Sequence, residues 1–221
     1  MRSLFIILAV IVTALTTGCN SDLLTGPSAA DVIMPLAVGN TWSYKVSEYD
    51  STGAFVGTRY DFEITTIAAE ESINGERWFR ADSVVLRTNR PDGLWVWIDG
   101  FYPWPVAKYP AAVADTFHTE IWQQTFENGE AGMQFLTYVV VTSIDTSITV
   151  PAGTFTCHAY EMTATLPDGS PLPDSLSSLR PHERNWFAPN VGLIKSESAV
   201  TRTGVPPGRY EVRELVEVKL K

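Results

Sequence analysis

From Thr41 onward the chain alternates apolar and polar side chains with a period of two. Trp42, Tyr44 and Val46 alternate with Ser43, Lys45 and Ser47, the pattern of a strand buried on one face. Val56, Thr58, Tyr60, Phe62 and Ile64 repeat it against Gly57, Arg59, Asp61 and Glu63. So do Leu136, Tyr138, Val140 and Thr142, and, near the end, Tyr210, Val212, Val216, Val218 and Leu220. The run Leu94-Trp95-Val96-Trp97-Ile98 is different, being apolar on both faces. A strand of that kind is covered on both sides, and the Pro-rich aromatic segment that follows it is the expected cover.

Turn residues separate these runs at short intervals. Asn74-Gly75 suits a primed hairpin turn, and Pro91-Asp92-Gly93 a type I turn with a following bulge. Val150-Pro151-Ala152-Gly153 reads as type I, because Ala at the third position disfavours the positive φ of type II. Pro189-Asn190 and Gly192 mark one more turn. Short connections join antiparallel neighbours, so a meander is expected. Helical periodicity is confined to 174–183, where Asp174 can serve as N-cap and Pro181 limits the length. The expected fold is therefore all-β, with about ten mainly antiparallel strands in a barrel or strongly curved open sheet and at most one or two short helices. A single domain is expected over 34–221.

What precedes that domain has a different character. Arg2 is followed by an apolar run of twelve residues, Leu4 to Leu15, with the length and charge of a secretory signal. The run is too short for a membrane-spanning helix, which needs roughly 18 or more apolar residues. Its end, Leu15-Thr16-Thr17-Gly18-Cys19, resembles the lipobox of bacterial lipoproteins, although the leucine usual three positions before the cysteine is Thr16 here. The resemblance implies a signal peptide over 1–18, a diacylglyceryl thioether on Cys19 and an acylated, for instance palmitoylated, amine. Several buried chains anchor a protein stably where one does so only marginally. Asn20 follows the cysteine; in the enterobacterial sorting rule an Asp there retains the protein in the inner membrane, so the resemblance implies the outer membrane, facing the periplasm or the cell surface. Residues 19–33, with Gly26 and Pro27 and no apolar period, read as the lipidated terminus and a flexible tether.

Removal of the signal leaves 15 Lys and Arg against 25 Asp and Glu, a formal charge of −10. Such a surface excludes nucleic acid and adsorption to anionic headgroups, so the expected tie to the membrane is the N-terminal lipid. With Cys19 acylated, Cys157 is the only remaining thiol and no internal disulfide can form. Cys157 lies in a strand-like run and is expected to be a small buried hydrophobe rather than a nucleophile.

Chemistry-bearing residues form few patterns. Phe101-Tyr102-Pro103-Trp104-Pro105, continuing to Tyr109-Pro110, holds large rings on a stiff segment, and rings held this way stack on sugars or line an apolar cavity. Trp95, Trp97, Phe101, Tyr102, Trp104 and Tyr109 are accordingly the candidate ligand-binding residues, with the alternative that the segment folds back as a lid completing the core. His118, His158 and His182 have no metal-ligand spacing. Cys157 and His158 are strand neighbours, which point to opposite faces unless a bulge intervenes. Asp61 and Glu63 read as solvated surface. No GxSxG, GxGxxG or phosphate loop is present. No catalytic residue, metal or cofactor is expected.

Residues 35–44 (PLAVGNTWSY), 150–157 (VPAGTFTC) and 186–197 (WFAPNVGLIKSE) resemble segments of uncharacterised bacterial lipoproteins and secreted β-proteins. The resemblance implies class and location. It carries no activity. The reading is thus a lipid-anchored, non-enzymatic envelope domain that binds an apolar or lipid-like ligand, a glycan or an envelope protein. Its fold would resemble the carrier and receptor of lipoprotein localisation, an analogy that does not fix function. Two alternatives stand beside it. A structural or assembly lipoprotein would act through an exposed edge or patch, and a hydrolase on envelope polymers would need two carboxylates in one cleft.

Overall fold

The computed structural model describes residues 32–125, 131–172, 183–199 and 208–221. The expected signal peptide, Cys19, almost all of the expected tether and His182 lie outside the described residues. So does the segment of the expected helix, except Glu183, which opens a strand.

Among the described residues the chain forms thirteen strands and no helix. They are β1 Thr41–Tyr49, β2 Phe55–Thr66, β3 Ala69–Ile73, β4 Glu76–Arg80, β5 Val85–Arg90, β6 Gly93–Ile98, β7 Trp104–Lys108, β8 Thr116–Thr125, β9 Ala131–Val150, β10 Gly153–Thr165, β11 Glu183–Ala188, β12 Gly192–Ala199 and β13 Tyr210–Lys219. The strands beyond the expected ten or so belong to β3–β7, five to six residues each, too short to show several periods of alternation. All pairings are antiparallel. They build an eight-stranded sheet, β2-β1-β13-β12-β11-β10-β9-β8, and a five-stranded sheet, β3-β4-β5-β6-β7.

The order is that of an up-and-down barrel opened at two seams. Consecutive strands are neighbours throughout, apart from β2/β3 and β7/β8, and the last strand pairs with the first. The chain leaves the large sheet after β2, winds the small sheet as an uninterrupted meander, and returns at β8. An open, curved pair of sheets follows, and one hydrophobic cluster draws Trp42, Tyr44, Tyr160, Phe187 and Leu215 from the large sheet together with Phe79, Leu94 and Ala107 from the small one. The seam at β2/β3 is bridged by backbone bonds: Gly39 donates to the Ile67 carbonyl at 2.8 Å, and Ile67 to that of Asn40 at 2.9 Å.

The turns follow their residues. Asn74 and Gly75 have φ of 53° and 82°, both positive as a type I′ turn demands. Ala152 keeps negative φ while Gly153, at 135°, absorbs the positive one. Asn190 (62°) and Gly192 (104°) carry the β11–β12 turn.

Two strands depart from the simple alternation. In β2, Glu63 sits opposite Tyr44 but Tyr60 opposite Val46, so three steps along β2 match two along β1. The extra residue is a β-bulge, and a one-residue slip exchanges the faces. As a result Glu63 shares the buried face of Tyr44, while Phe62 and Ile64 are 66% and 63% exposed. The expectation that this apolar row is buried is thereby corrected. In β13 a bulge beside Ser43/Tyr44 brings Leu215, rather than Val216, into the core opposite Tyr44.

Residues 32–40 have no strand pairing yet are firmly placed. Ile33 and Met34 are fully buried, Asn190 donates its amide to the Val32 carbonyl at 2.9 Å, and the Asn89 side chain donates to the Met34 carbonyl at 2.9 Å. The segment links the small sheet to the β11–β12 turn and plugs that end of the space between the sheets.

Candidate functional site

The strand-direction rule that successive side chains face opposite ways divides the small sheet sharply. Opposite pairs across β5 and β6 share a face: Leu86 with Trp97 and Thr88 with Trp95 on one side, Arg87 with Val96 and Asn89 with Leu94 on the other. The second set looks toward the large sheet; the first looks away from it.

On the outward face the tryptophans cover one another. Trp78 meets Trp97 edge-on at 5.7 Å, and the Arg90 guanidinium lies 4.0 Å from the Trp95 ring centroid while Glu76 holds it in place at 2.7 and 2.8 Å. Trp95 donates its indole N–H to Asp92 Oδ1 at 2.9 Å, and Trp97 to the Phe101 carbonyl at 2.7 Å. Trp78 and Leu86 are buried beneath this layer. The expected cover of the Trp95–Trp97 strand, the Pro-rich segment, plays another part. Residues 104–108 extend the sheet edge as β7, pairing beside β6. Phe101 accepts the Trp97 bond through its main-chain carbonyl, and the side chains of Phe101 and Tyr102 are 67% and 92% exposed. The reason is geometric: a five-residue loop between hydrogen-bonded neighbours is too short to fold across the sheet.

On the inward face a cavity of about 390 Å³ lies between the sheets. Arg87, Leu94, Val96, Trp104 and Val106 line it from the small sheet; Val139, Tyr160, Met162, Asn185, Phe187 and Leu193 line it from the large one. Its volume falls in the range of small-molecule sites, and apolar walls with a few convergent polar groups are what such sites share. The six sequence candidates therefore divide. Trp104 lines the cavity, and Tyr109 packs against the core beside it, edge-on to His158 at 5.3 Å. Trp95, Trp97, Phe101 and Tyr102 are on the outer side or exposed. Tyr160 ties the two walls together, its hydroxyl donating to the Lys108 carbonyl at 2.7 Å. Burial, with Tyr109 adding to it, holds that phenol above its ordinary range.

Arg87 is the polar residue that periodicity did not single out. Its Nη1 donates only to Met34 Sδ, at 3.4 Å, and its buried Nε has no hydrogen-bond partner. Burial lowers its pKa from the ordinary arginine range; the Tyr44 hydroxyl and Asp82 oppose that shift, and Arg213 adds to it. Its strand, β5, reads VLRTNR, mostly polar and with a second arginine in Arg90, so nothing in the sequence set Arg87 apart. That position became recognisable only once β5 was paired with β6.

The remaining candidate chemistry is structural. Cys157 is fully buried, its thiol directed at the Phe155 carbonyl at 3.7 Å, and burial pushes its pKa up to about 11. Burial lowers His158, whose Nδ1 is enclosed without a hydrogen-bond partner. The side chain of His118 lies outside the described residues. Glu63 pairs with Arg213 at 2.9 Å, and Asp61 is exposed. Among the described residues no group of His, Cys, Asp or Glu side chains is arranged to hold a metal ion.

No protein-family model matches the chain, and no curated protein matches it. Among solved structures it is similar to a candidate lipoprotein from Parabacteroides distasonis, with 17% identity, 86% of this chain and 99% of that one covered, and a TM-score of 0.40. It is also similar to a candidate exported protein with a YmcC-like fold from Bacteroides fragilis, with 14% identity, coverage of 86% and 100%, and a TM-score of 0.38.

Proposed function

We propose that this chain is a lipid-anchored cell-envelope protein whose β domain binds an apolar or lipid-like ligand and catalyses no reaction. The observation that carries the reading is the cavity of about 390 Å³ between the sheets, which the aromatic side chains of the core leave open. Trp95 and Trp97, two of the candidate ligand-binding residues, face the other way and do not fill that space. Attachment would come from acylation of Cys19 after removal of residues 1–18. The mature charge of −10 gives the surface no attraction of its own for anionic headgroups, and Asn20 directs the lipidated chain toward the outer membrane.

A second reading has its own observation. The edge strand β2 presents Phe55, Phe62 and Ile64 at 59%, 66% and 63% exposure, and an apolar edge strand is a site where another chain adds. That arrangement favours an envelope-assembly role acting through the exterior. The hydrolase reading lacks its requirement among the described residues. The cavity has one carboxylate, Glu183, and the shallow cleft beside β2 has one, Glu63, already paired with Arg213.

Native mass spectrometry of protein purified from its own envelope tests the proposal. Expected are a mature N-terminus at Cys19 bearing acyl chains and a non-covalent adduct that denaturation releases. A ligand-free domain from every preparation would favour the second reading, and an unmodified Cys19 would overturn the anchor.

A further inference from the structure

We propose that the cavity between the sheets takes an amphiphile with a single anionic head, a carboxylate or a phosphate monoester, and that Arg87 holds that head. The inference rests on the reading that this cavity binds an apolar ligand, and it names the ligand's polar end.

The first support is the state of Arg87. A guanidinium offers five N–H donors, and here the one on Nε is buried without a partner while Nη1 has only a thioether. An unpaired buried charge is costly, and a two-pronged, charge-assisted bond to an oxyanion is the geometry that relieves it. The second support is that neighbouring groups do not supply the anion. Asp82 spends its Oδ1 on the amides of Val84 and Val85, both at 2.9 Å. Tyr44 donates its hydroxyl to the Leu193 carbonyl at 3.1 Å, and Arg213, the other nearby cation, already pairs with Glu63. An oxyanion from outside is what completes the site.

The third support is polarity along the cavity. Arg87 touches Met34, which packs against Gly192, the first residue of β12, opposite Ala188 at the end of β11. The other charged residue of the lining, Glu183, begins that same strand. Five steps of about 3.3 Å along its six residues separate the two ends of β11 by roughly 16 Å. Leu94, Val96, Trp104 and Met162 supply apolar wall for the tail. Head at Arg87 sets the anion against a cation with the apolar wall left for the tail, and the carboxylate of Glu183 disfavours the reverse orientation.

The test titrates the purified full mature chain with dodecanoate, dodecyl phosphate and 1-dodecanol, three probes sharing one tail, each below its critical micelle concentration. The wild-type protein is expected to bind at least one anionic probe about tenfold or more tighter than the alcohol. Whichever anion is tighter identifies the head group. Arg87→Gln should reduce the anion to the affinity of the alcohol and leave the alcohol within about twofold, whereas Arg87→Lys should keep part of the preference. Equal binding of all three probes by the wild type, or an undiminished preference in Arg87→Gln, overturns the assignment and leaves the apolar cavity standing. Binding of none of the three overturns the apolar-ligand reading itself. The wild-type comparison decides the matter even where a variant fails to fold.

Discussion

The indole Nε1 of Trp42 donates to the Val191 carbonyl at 2.6 Å, joining the first strand to the β11–β12 turn across 149 positions of sequence. Trp42 is fully buried and Val191 half-buried, so loss of the indole leaves a partly buried carbonyl without its donor. Trp42→Phe should therefore cost the hydrogen bond and leave a partly buried acceptor without its partner, a loss of about 1–2 kcal/mol, in addition to the poorer packing of the smaller ring. Urea unfolding should show a lower midpoint at unchanged slope. A variant within about 0.5 kcal/mol of wild type would mean that the bond contributes nothing.

Two glycines with positive φ should respond very differently to alanine. A Cβ on Gly93 (φ 139°) would lie 2.1 Å from the Ala107 carbonyl oxygen and 2.8 Å from the Tyr109 amide, both backbone atoms of the adjoining strand and its end. A Cβ on Gly75 (φ 82°) meets nothing within 4 Å. Gly75→Ala thus carries only the left-handed backbone penalty, about 1–2 kcal/mol. Gly93→Ala must also push β7 away from β6, and should lose well over about 3 kcal/mol or fail to fold. Parallel thermal melts of the two variants check the ranking, and equal losses would contradict the close approach.

The turns and the strand period were legible in the sequence because they depend on neighbours one to four residues apart. Asn74-Gly75 and Pro151-Ala152-Gly153 contain their own conformational instruction. Bulges do not, since a β-bulge is a relation between two strands. That is why Tyr60, Phe62 and Ile64 read as one buried row while the pairing with β1 turns Phe62 and Ile64 outward. The candidate site was half legible for the same reason. Aromatic content marked β6 and β7, but only the pairing of β5 with β6 decides that Trp95 and Trp97 face outward and Arg87 inward. The plug at Ile33 and Met34, apolar residues with no period of their own, could be located only against the strands they touch.

The β2 correction has a direct consequence. Because Ile64 is largely exposed, Ile64→Lys should change stability by no more than about 0.5 kcal/mol, where a core isoleucine would lose several. If β2 is the edge at which copies of the chain associate, the same variant should reduce concentration-dependent association in sedimentation velocity. A loss above about 2 kcal/mol would place Ile64 in the core after all.

Alkaline pH should weaken the fold. Cys157 is held at about 11, above its ordinary value near 9, because burial favours the neutral thiol. A group whose folded pKa is raised stabilises the fold fully below its unfolded pKa, and that contribution fades as pH climbs through the folded value. Tyr44 and Tyr160, raised by burial, act in the same direction at higher pH. Unfolding free energy should stay level between about pH 7.5 and 8.5 and fall between about pH 9 and 11, and Cys157→Ala should flatten the early part of that fall. In the native protein at mildly alkaline pH the thiol should resist an aromatic disulfide reagent until denaturant is added.

The division of the six aromatic candidates between two faces can be read out in one series. Trp104 lines the cavity, and Trp95 and Trp97 stand on the far side of the same sheet. Trp104→Ala removes apolar wall and should weaken binding of a dodecyl probe severalfold, since each methylene of the tail left without its apolar cover forfeits about 0.8 kcal/mol. Trp97→Ala breaks the edge-on packing with Trp78 and the bond to the Phe101 carbonyl, so it should lower stability by about 3–5 kcal/mol at most and leave probe affinity unchanged wherever the domain remains folded. Tyr102→Ala, at a side chain 92% exposed, should alter neither. If instead a soluble oligosaccharide were the ligand, the dependence would invert: Trp95, Trp97 and Tyr102 would govern binding and Trp104 would not. Isothermal titration of alanine variants at these four positions with both probe classes separates the two patterns, because no single residue serves both faces.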